Sequence, residues 1–202
     1  MPIERIHGGA HMNKKQSRVQ DLVICALFSA LIAIGAFLQI TIPVQPMPMH
    51  FTLQYYFSIL AGFLLGGKRG LLSVLIYLLI GLVGIPVFAS GGGPAYLIRP
   101  TFGFLLGFAF NSGAIGYLCE RWLPKKGWQY LIIATVGYAL YYLCGMIYFY
   151  VISNYVIDVP VGWGLVFINC FVITAVPDYL LCIFGALTAY KLVPIVRKNI
   201  LK

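Results

Sequence analysis

From Leu22 to Gly67 the chain carries no Asp, Glu, Lys or Arg, a run long enough for two membrane spans of about 20 residues each. Pro43, Pro46 and Pro48 divide it. The pattern predicts span 1 over 21–42, a loop over 43–51 and span 2 over 52–66. A tight basic turn, Gly67-Lys68-Arg69, leads into span 3 over 70–83. Further apolar runs predict span 4 over 102–118, span 5 over 129–153 and span 6 over 164–192. A polar connector at 120–127 and a Pro/Gly/Trp loop at 154–163 separate them. The expected fold class is an all-α membrane protein of six transmembrane helices, a single domain over 12–202.

Residues 84–101 interrupt this regime with three prolines, four glycines and one arginine, Arg99. Proline lacks the backbone donor and the triplet Gly91-Gly92-Gly93 favours positive-φ turns, so no helix continues through it. Inside lipid, non-helical backbone persists only where protein or water satisfies its polar groups. The interruption is therefore a candidate binding loop as well as a candidate plain connector.

Composition agrees with the pattern. Of 202 residues, 61% are hydrophobic and 9% charged, against roughly 25% charged in soluble domains. The formal net charge of +9 changes meaning once it is located. Counted from Met12 there are thirteen Lys and Arg, and twelve fall in the amino-terminal lead, the 67–69 turn, the 119–127 connector or the carboxyl-terminal end. By the positive-inside rule those regions are cytoplasmic, both termini included, in a multi-pass membrane protein. The charge is topological and excludes nucleic acid as a partner. Arg99 is the exception, alone with Asp158 among the outward loops. Residues 1–11 differ in character and read as an expression-tag remnant, with a natural start at Met12. The five cysteines stand singly in apolar segments, without metal-ligand or redox spacing.

Few residues can carry chemistry. Gly62 to Lys68 imitates the start of a phosphate-binding loop, but Arg69 stands where Ser or Thr is required and no strand precedes it. Asp178, beside Pro177, is the one acid deep in an apolar span, and such a carboxylate faces a cavity or a partner. It contacts a ligand, or pairs with a buried tyrosine or a freed backbone group; proton coupling is a third option, against which stands the lack of a second intramembrane acid to relay. Pro177 removes the hydrogen bond to the Ile173 carbonyl, which predicts a loosened helix there. Arg99 offers a fork suited to a carboxylate, or a lipid head-group anchor. Gln54 brings an amide to the start of span 2. Phe88, Tyr96, Tyr148 and Trp163 wall a flat ligand or belong to an interfacial belt. His50, a lone loop histidine, is not expected to be a ligand. Cation, buried anion and aromatic walls together suit a small amphipathic acid with hydrogen-bond donors. Small residues recur as Gly62/Gly66 and Gly103/Gly107, and as a face of Ala26, Ser29, Ala30 and Ala33 on span 1. Both patterns fit bundle packing, and the second equally fits docking of another membrane protein.

The blocks Thr52-Leu53-Gln54, Leu60 to Gly66, Gly81 to Ala89 and Pro100 to Phe108 resemble the biotin-specific, BioY-type substrate-binding (S) component of energy-coupling-factor (ECF) transporters. The similarity covers essentially 22–192 and implies a non-enzymatic binding subunit that captures biotin outside and needs no cofactor. It also implies docking, with Ala26 and Ala30 in the alanine-motif position, onto a membrane coupling subunit driven by two ATPases. The binding residues this points to are Gln54, Phe88, Tyr96, Arg99, Thr101, Tyr148 and Asp178. A family pattern near the carboxyl end aligns with Val176 to Leu181, with Asp178 as its acid and Leu181 at its lysine position. A related vitamin acid such as lipoate is the alternative ligand. A solitary secondary transporter of a small organic acid is the alternative class, against which stand the short length and the single intramembrane acid.

Overall fold

The computed structural model describes residues 14–43 and 49–199, so the tag-like segment 1–11 lies outside the described residues. Helix α1, Lys14–Phe37, stops short of the predicted span end. The reason is local: Ile40, Thr41 and Ile42 are β-branched and Pro43 follows, which favours extended backbone. Strand β1, Gln39–Ile42, pairs antiparallel with β2, Met49–Thr52, placing Gln39 opposite Thr52 and Thr41 opposite His50. The expected 43–51 loop thus ends in a strand.

Helix α2, Gln54–Leu65, ends at Gly66, whose φ of 87° belongs to glycine. Helix α3, Gly67–Leu82, begins at once, so Lys68 and Arg69 sit in its first turn and not in a separate loop. The interruption that follows contains one 3-10 turn, Pro94–Ile98, entered through Gly91 and Gly93 at φ of 110° and 102°. Helix α4, Phe102–Trp122, and α5, Gly127–Tyr155, are long and unbroken. The predicted sixth span is broken: α6, Trp163–Phe167, passes through a π turn, Ile168–Val172, before α7, Ala175–Asn199.

The described chain is all-helical apart from the hairpin. Four helices, α1, α4, α5 and α7, are long and apolar enough to cross a membrane, where six spans were expected. The shortfall is one of length: α2 has 12 residues, about 18 Å of rise against a hydrocarbon core of about 30 Å.

Helix α4 occupies the centre, packed on α2, α3 and α5, while α7 closes the far side against α2 and α5. The glycine pairs are packing surfaces. A Cβ on Gly62 would stand 2.5 Å from the Ser112 carbonyl, and one on Gly107 would stand 2.9 Å from that of Tyr141. On α1 the expected small-residue face splits in two. Ser29 turns inward with Cys25, Ile32 and Ala36, and its hydroxyl donates to the Ser73 carbonyl at 2.6 Å. Ala26 and Ala30 stay exposed and Ala33 half-buried. At the basic end, Arg69 meets Asp21 at 2.9 Å and Glu120 accepts the Gly67 N–H at 3.2 Å. These contacts orient α1, α3 and α4 while adding at most about 1 kcal/mol each.

Candidate functional site: a chamber under the hairpin

The site is built from the break ahead of α7. Pro177 lies in the first turn of α7, where a missing N–H leaves no helical bond unmade. The expected loosened helix is in fact a helix start. Asp178 falls in the same turn, where the positive end of the helix dipole favours a carboxylate. Its side chain is 5% exposed, and the Tyr142 hydroxyl donates to Oδ2 at 2.5 Å. The Thr174 hydroxyl proton is shared between the Cys170 carbonyl at 2.8 Å and the Tyr142 oxygen at 2.9 Å. Asp178 is therefore both the partner of a buried tyrosine and a wall of a cavity.

That cavity is a chamber among α2, α4, α5 and α7, roofed by the hairpin and the 84–101 loop. Tyr141 stacks on both Tyr55 and Phe108, at centroid distances of 4.7 and 5.3 Å. Phe104 meets Tyr141 edge-on at 5.3 Å. Such arrangements favour an apolar or flat occupant. The chamber has about 590 Å³ of free space with its open side counted, and about 50 Å³ in which the centre of a water fits. As it stands, it has room for a few waters. A vitamin-sized ligand requires the roof or the walls to move outward.

The roof is held by side-chain hydrogen bonds. His50 bonds Ser90 at 2.7 Å and Thr41 at 3.1 Å, and the Gln39 amide donates to the Ala89 carbonyl at 3.0 Å. Burial, and then the charge of Arg99, lower the His50 pKa below its usual 6.5. The ring is neutral at pH 7, with one N–H to donate and one lone pair to accept.

Of the residues that the sequence singled out, Gln54, Tyr96, Thr101 and Asp178 line this chamber. Gln54 is 1% exposed and already committed, donating to the Tyr77 hydroxyl and accepting from Thr52 at 3.3 Å. Phe88, Arg99 and Tyr148 are not among the lining residues. The 3-10 turn presents Tyr96 inward and leaves the others around it. Phe88 backs Tyr96 at 4.6 Å, and the Arg99 guanidinium lies 4.7 Å from the Tyr96 ring centroid. The Tyr148 hydroxyl donates to the Leu97 carbonyl at 2.5 Å. Trp163 stacks on Tyr150 at 4.2 Å, away from the chamber. Sequence reasoning missed the roof residues His50 and Phe51 and the walls Tyr55, Phe104, Phe108 and Tyr141. The i, i+4 spacing of Phe104 and Phe108 was the available signal.

A family model described as the BioY family matches residues 12–198. The chain belongs to the BioY family. Among curated relatives, "Probable biotin transporter BioY" of Lysinibacillus sphaericus is 41% identical over 183 residues, covering 91% of each chain. "Biotin transporter BioY" of Thermotoga maritima is 39% identical over 142 residues, 70% of this chain and 79% of that one. The crystal structure of the S-component for biotin from an ECF-type ABC transporter superposes with a TM-score of 0.75. It is 25% identical and covers 90% of this chain and 94% of its own. The all-helical membrane fold is thus a BioY-family fold, and its relatives carry names of transporters.

Proposed function

We propose that the chain is the biotin-binding S component of an ECF transporter. The observation that carries this reading is Asp178. In a chain of the BioY family, it is a buried carboxylate with one oxygen fixed by Tyr142, at the edge of a chamber walled by aromatic rings. Biotin's ureido ring has two N–H donors flanking a carbonyl, and a carboxylate, with about four lone-pair sites, can accept one of them beside its tyrosine partners. Such charge-assisted bonds are worth about 1.5–3 kcal/mol. The thiophane ring then lies against Phe104, Phe108 and Tyr141, and Tyr96 and Thr101 cover the valeryl chain. The carboxylate tail emerges at the rim, where Arg99 meets it. Phe88 and Tyr148 hold Tyr96 and its turn in place. Lipoate, with a dithiolane that has no donors, would bring Asp178 nothing beyond its tyrosine partners and press an apolar ring against a buried carboxylate.

Six passes follow if the short helices α2 and α3 and the broken α6–α7 unit each cross a locally thinned or tilted layer. The basic ends then lie in the cytoplasm and the chamber opens outward. Ala26 and Ala30, exposed on α1, present a low face against which a membrane coupling subunit can approach closely. That subunit and two ATPases supply the energy that this chain lacks. Binding and uptake by membrane vesicles test the reading. The chain alone is expected to bind labelled biotin without accumulating it, and accumulation is expected only with an ECF module present. Accumulation by the chain alone would instead make it a solitary secondary transporter.

A further inference from the structure

Four buried side-chain atoms among the described residues have no hydrogen-bond partner: Tyr55 Oη, Asn111 Oδ1, Ser112 Oγ and Ser153 Oγ. Of these residues only Tyr55 lines the chamber. Its ring is 1% exposed and stacked on Tyr141, so the hydroxyl cannot swing out to water. The Cys182 thiol beside it is a weak partner. A buried O–H without an acceptor bears its full desolvation cost, and native structures rarely leave one so without a reason.

Several other polar groups around the chamber are already engaged. Gln54 donates to Tyr77, Thr52 to Gln54 and Tyr142 to Asp178, while Thr174 is shared with Cys170 and Tyr142. Asp178 on α7, which the Tyr141 hydroxyl also bonds, keeps lone pairs free to accept, and the buried Tyr55 hydroxyl on the adjoining α2 has a proton to donate. A cyclic urea has the matching edge, with an N–H beside a carbonyl. Leu181, one turn along α7 from Asp178, can donate nothing to that carbonyl.

We propose that Tyr55 determines specificity, its hydroxyl donating to the ureido carbonyl of biotin while Asp178 accepts from the neighbouring ureido N–H. The assignment rests on biotin being the ligand. It gives the unsatisfied hydroxyl a function: the site is polar where the ureido group goes and incomplete until it arrives.

The test replaces Tyr55 with Phe, which keeps the ring and its stacking. Wild type and Tyr55→Phe are titrated with biotin and with 2-thiobiotin, whose thiocarbonyl is a poor acceptor, and ligand-free melting is recorded for both. Tyr55→Phe is expected to weaken biotin about tenfold and thiobiotin less than about twofold. Ligand-free melting should be unchanged or higher, since an unpaired buried hydroxyl has been removed. Equal losses for the two ligands, or a lowered ligand-free melting temperature, would overturn the assignment and make the hydroxyl structural. Wild type that binds no biotin would overturn the biotin reading itself, an outcome separate from these. If Tyr55→Phe yields no folded protein, Cys182→Ser carries the test. It offers Tyr55 a competing acceptor and is expected to weaken biotin more than thiobiotin, whereas unchanged biotin affinity overturns the proposal.

Discussion

The two ends of the bundle are built on opposite plans. At the basic end backbone meets backbone: Gly62, Gly67, Gly70 and Gly116 let α2, α3 and α4 approach so closely that a Cβ has no room. At the loop end the pieces are short and irregular, joined by side-chain hydrogen bonds such as His50 to Ser90 and Gln39 to Ala89. Glycines 84, 91 and 93 there have nothing within 4 Å of a would-be Cβ, and of the loop's four glycines only Gly92 is close-packed, 2.4 Å from the Ile85 carbonyl. Packed backbone cannot shift by a fraction of an ångström without clashes. A few half-exposed hydrogen bonds can break and re-form for about 1 kcal/mol each. A chamber too tight for its ligand can therefore open at the loop end while the opposite end stays rigid.

The sharpest way to break this contrast is to place one methyl-bearing side chain at each end. Gly116→Val drives a side chain into the backbone of Gly66 and Gly67 and is expected to abolish monodisperse protein in size-exclusion chromatography. Gly91→Ala meets no atom and costs only the strain of a φ of 110°, about 1–2 kcal/mol. It is expected to yield folded protein that melts a few degrees lower. Equal survival of both variants would show that the basic end is not close-packed as described.

A smaller effect is expected on the lipid-facing side of the rigid half. Ala26→Trp or Ala30→Trp adds bulk to an exposed face of α1 and should abolish co-purification with a coupling subunit while leaving biotin affinity within about twofold. Loss of binding with assembly intact would place this face in the interior. Smaller again is the rim. Arg99→Ala should weaken biotin about three- to tenfold and a biotin ester hardly at all, because only the free carboxylate uses the guanidinium. Equal losses would make Arg99 a prop for Tyr96, on which it already rests at 4.7 Å.

The smallest effect concerns the latch. A histidine whose folded pKa lies below its unfolded value near 6.5 stabilises the fold fully above that value. It loses this contribution as pH falls through the lowered folded pKa. Ligand-free melting is expected to be flat above about pH 6.5 and to decline below it. His50→Gln should flatten the decline. A decline that persists in the variant would assign it to another group.

The sequence disclosed the helical membrane class because lipid demands long uncharged runs, and it disclosed Asp178 because an intramembrane acid is costly. It singled out Tyr96 and Arg99 alike but not their separation, since a 3-10 turn presents Tyr96 to the chamber and leaves Arg99, three residues on, outside its lining. The hairpin was hidden because Gln39 to Ile42 continues the apolar run of α1, and hydropathy does not distinguish a strand from one more helical turn. The walls Tyr55 and Tyr141 were hidden for another reason. In a chain with fourteen tyrosines, no local signal separates a ring facing a chamber from one packed in the core. The broken sixth span was half visible in Pro177, which marks the start of α7.

The pairing of the Asp178 carboxylate with a ureido donor is tested most directly by calorimetric titration of wild type and Asp178→Asn with biotin and with lipoate. Wild type is expected to bind biotin and not lipoate, and the nearly isosteric variant to stay folded and bind biotin roughly ten- to a hundredfold more weakly. Lipoate preferred by wild type, or biotin bound unchanged by Asp178→Asn, would contradict the assignment and return Asp178 to helix packing with Tyr142.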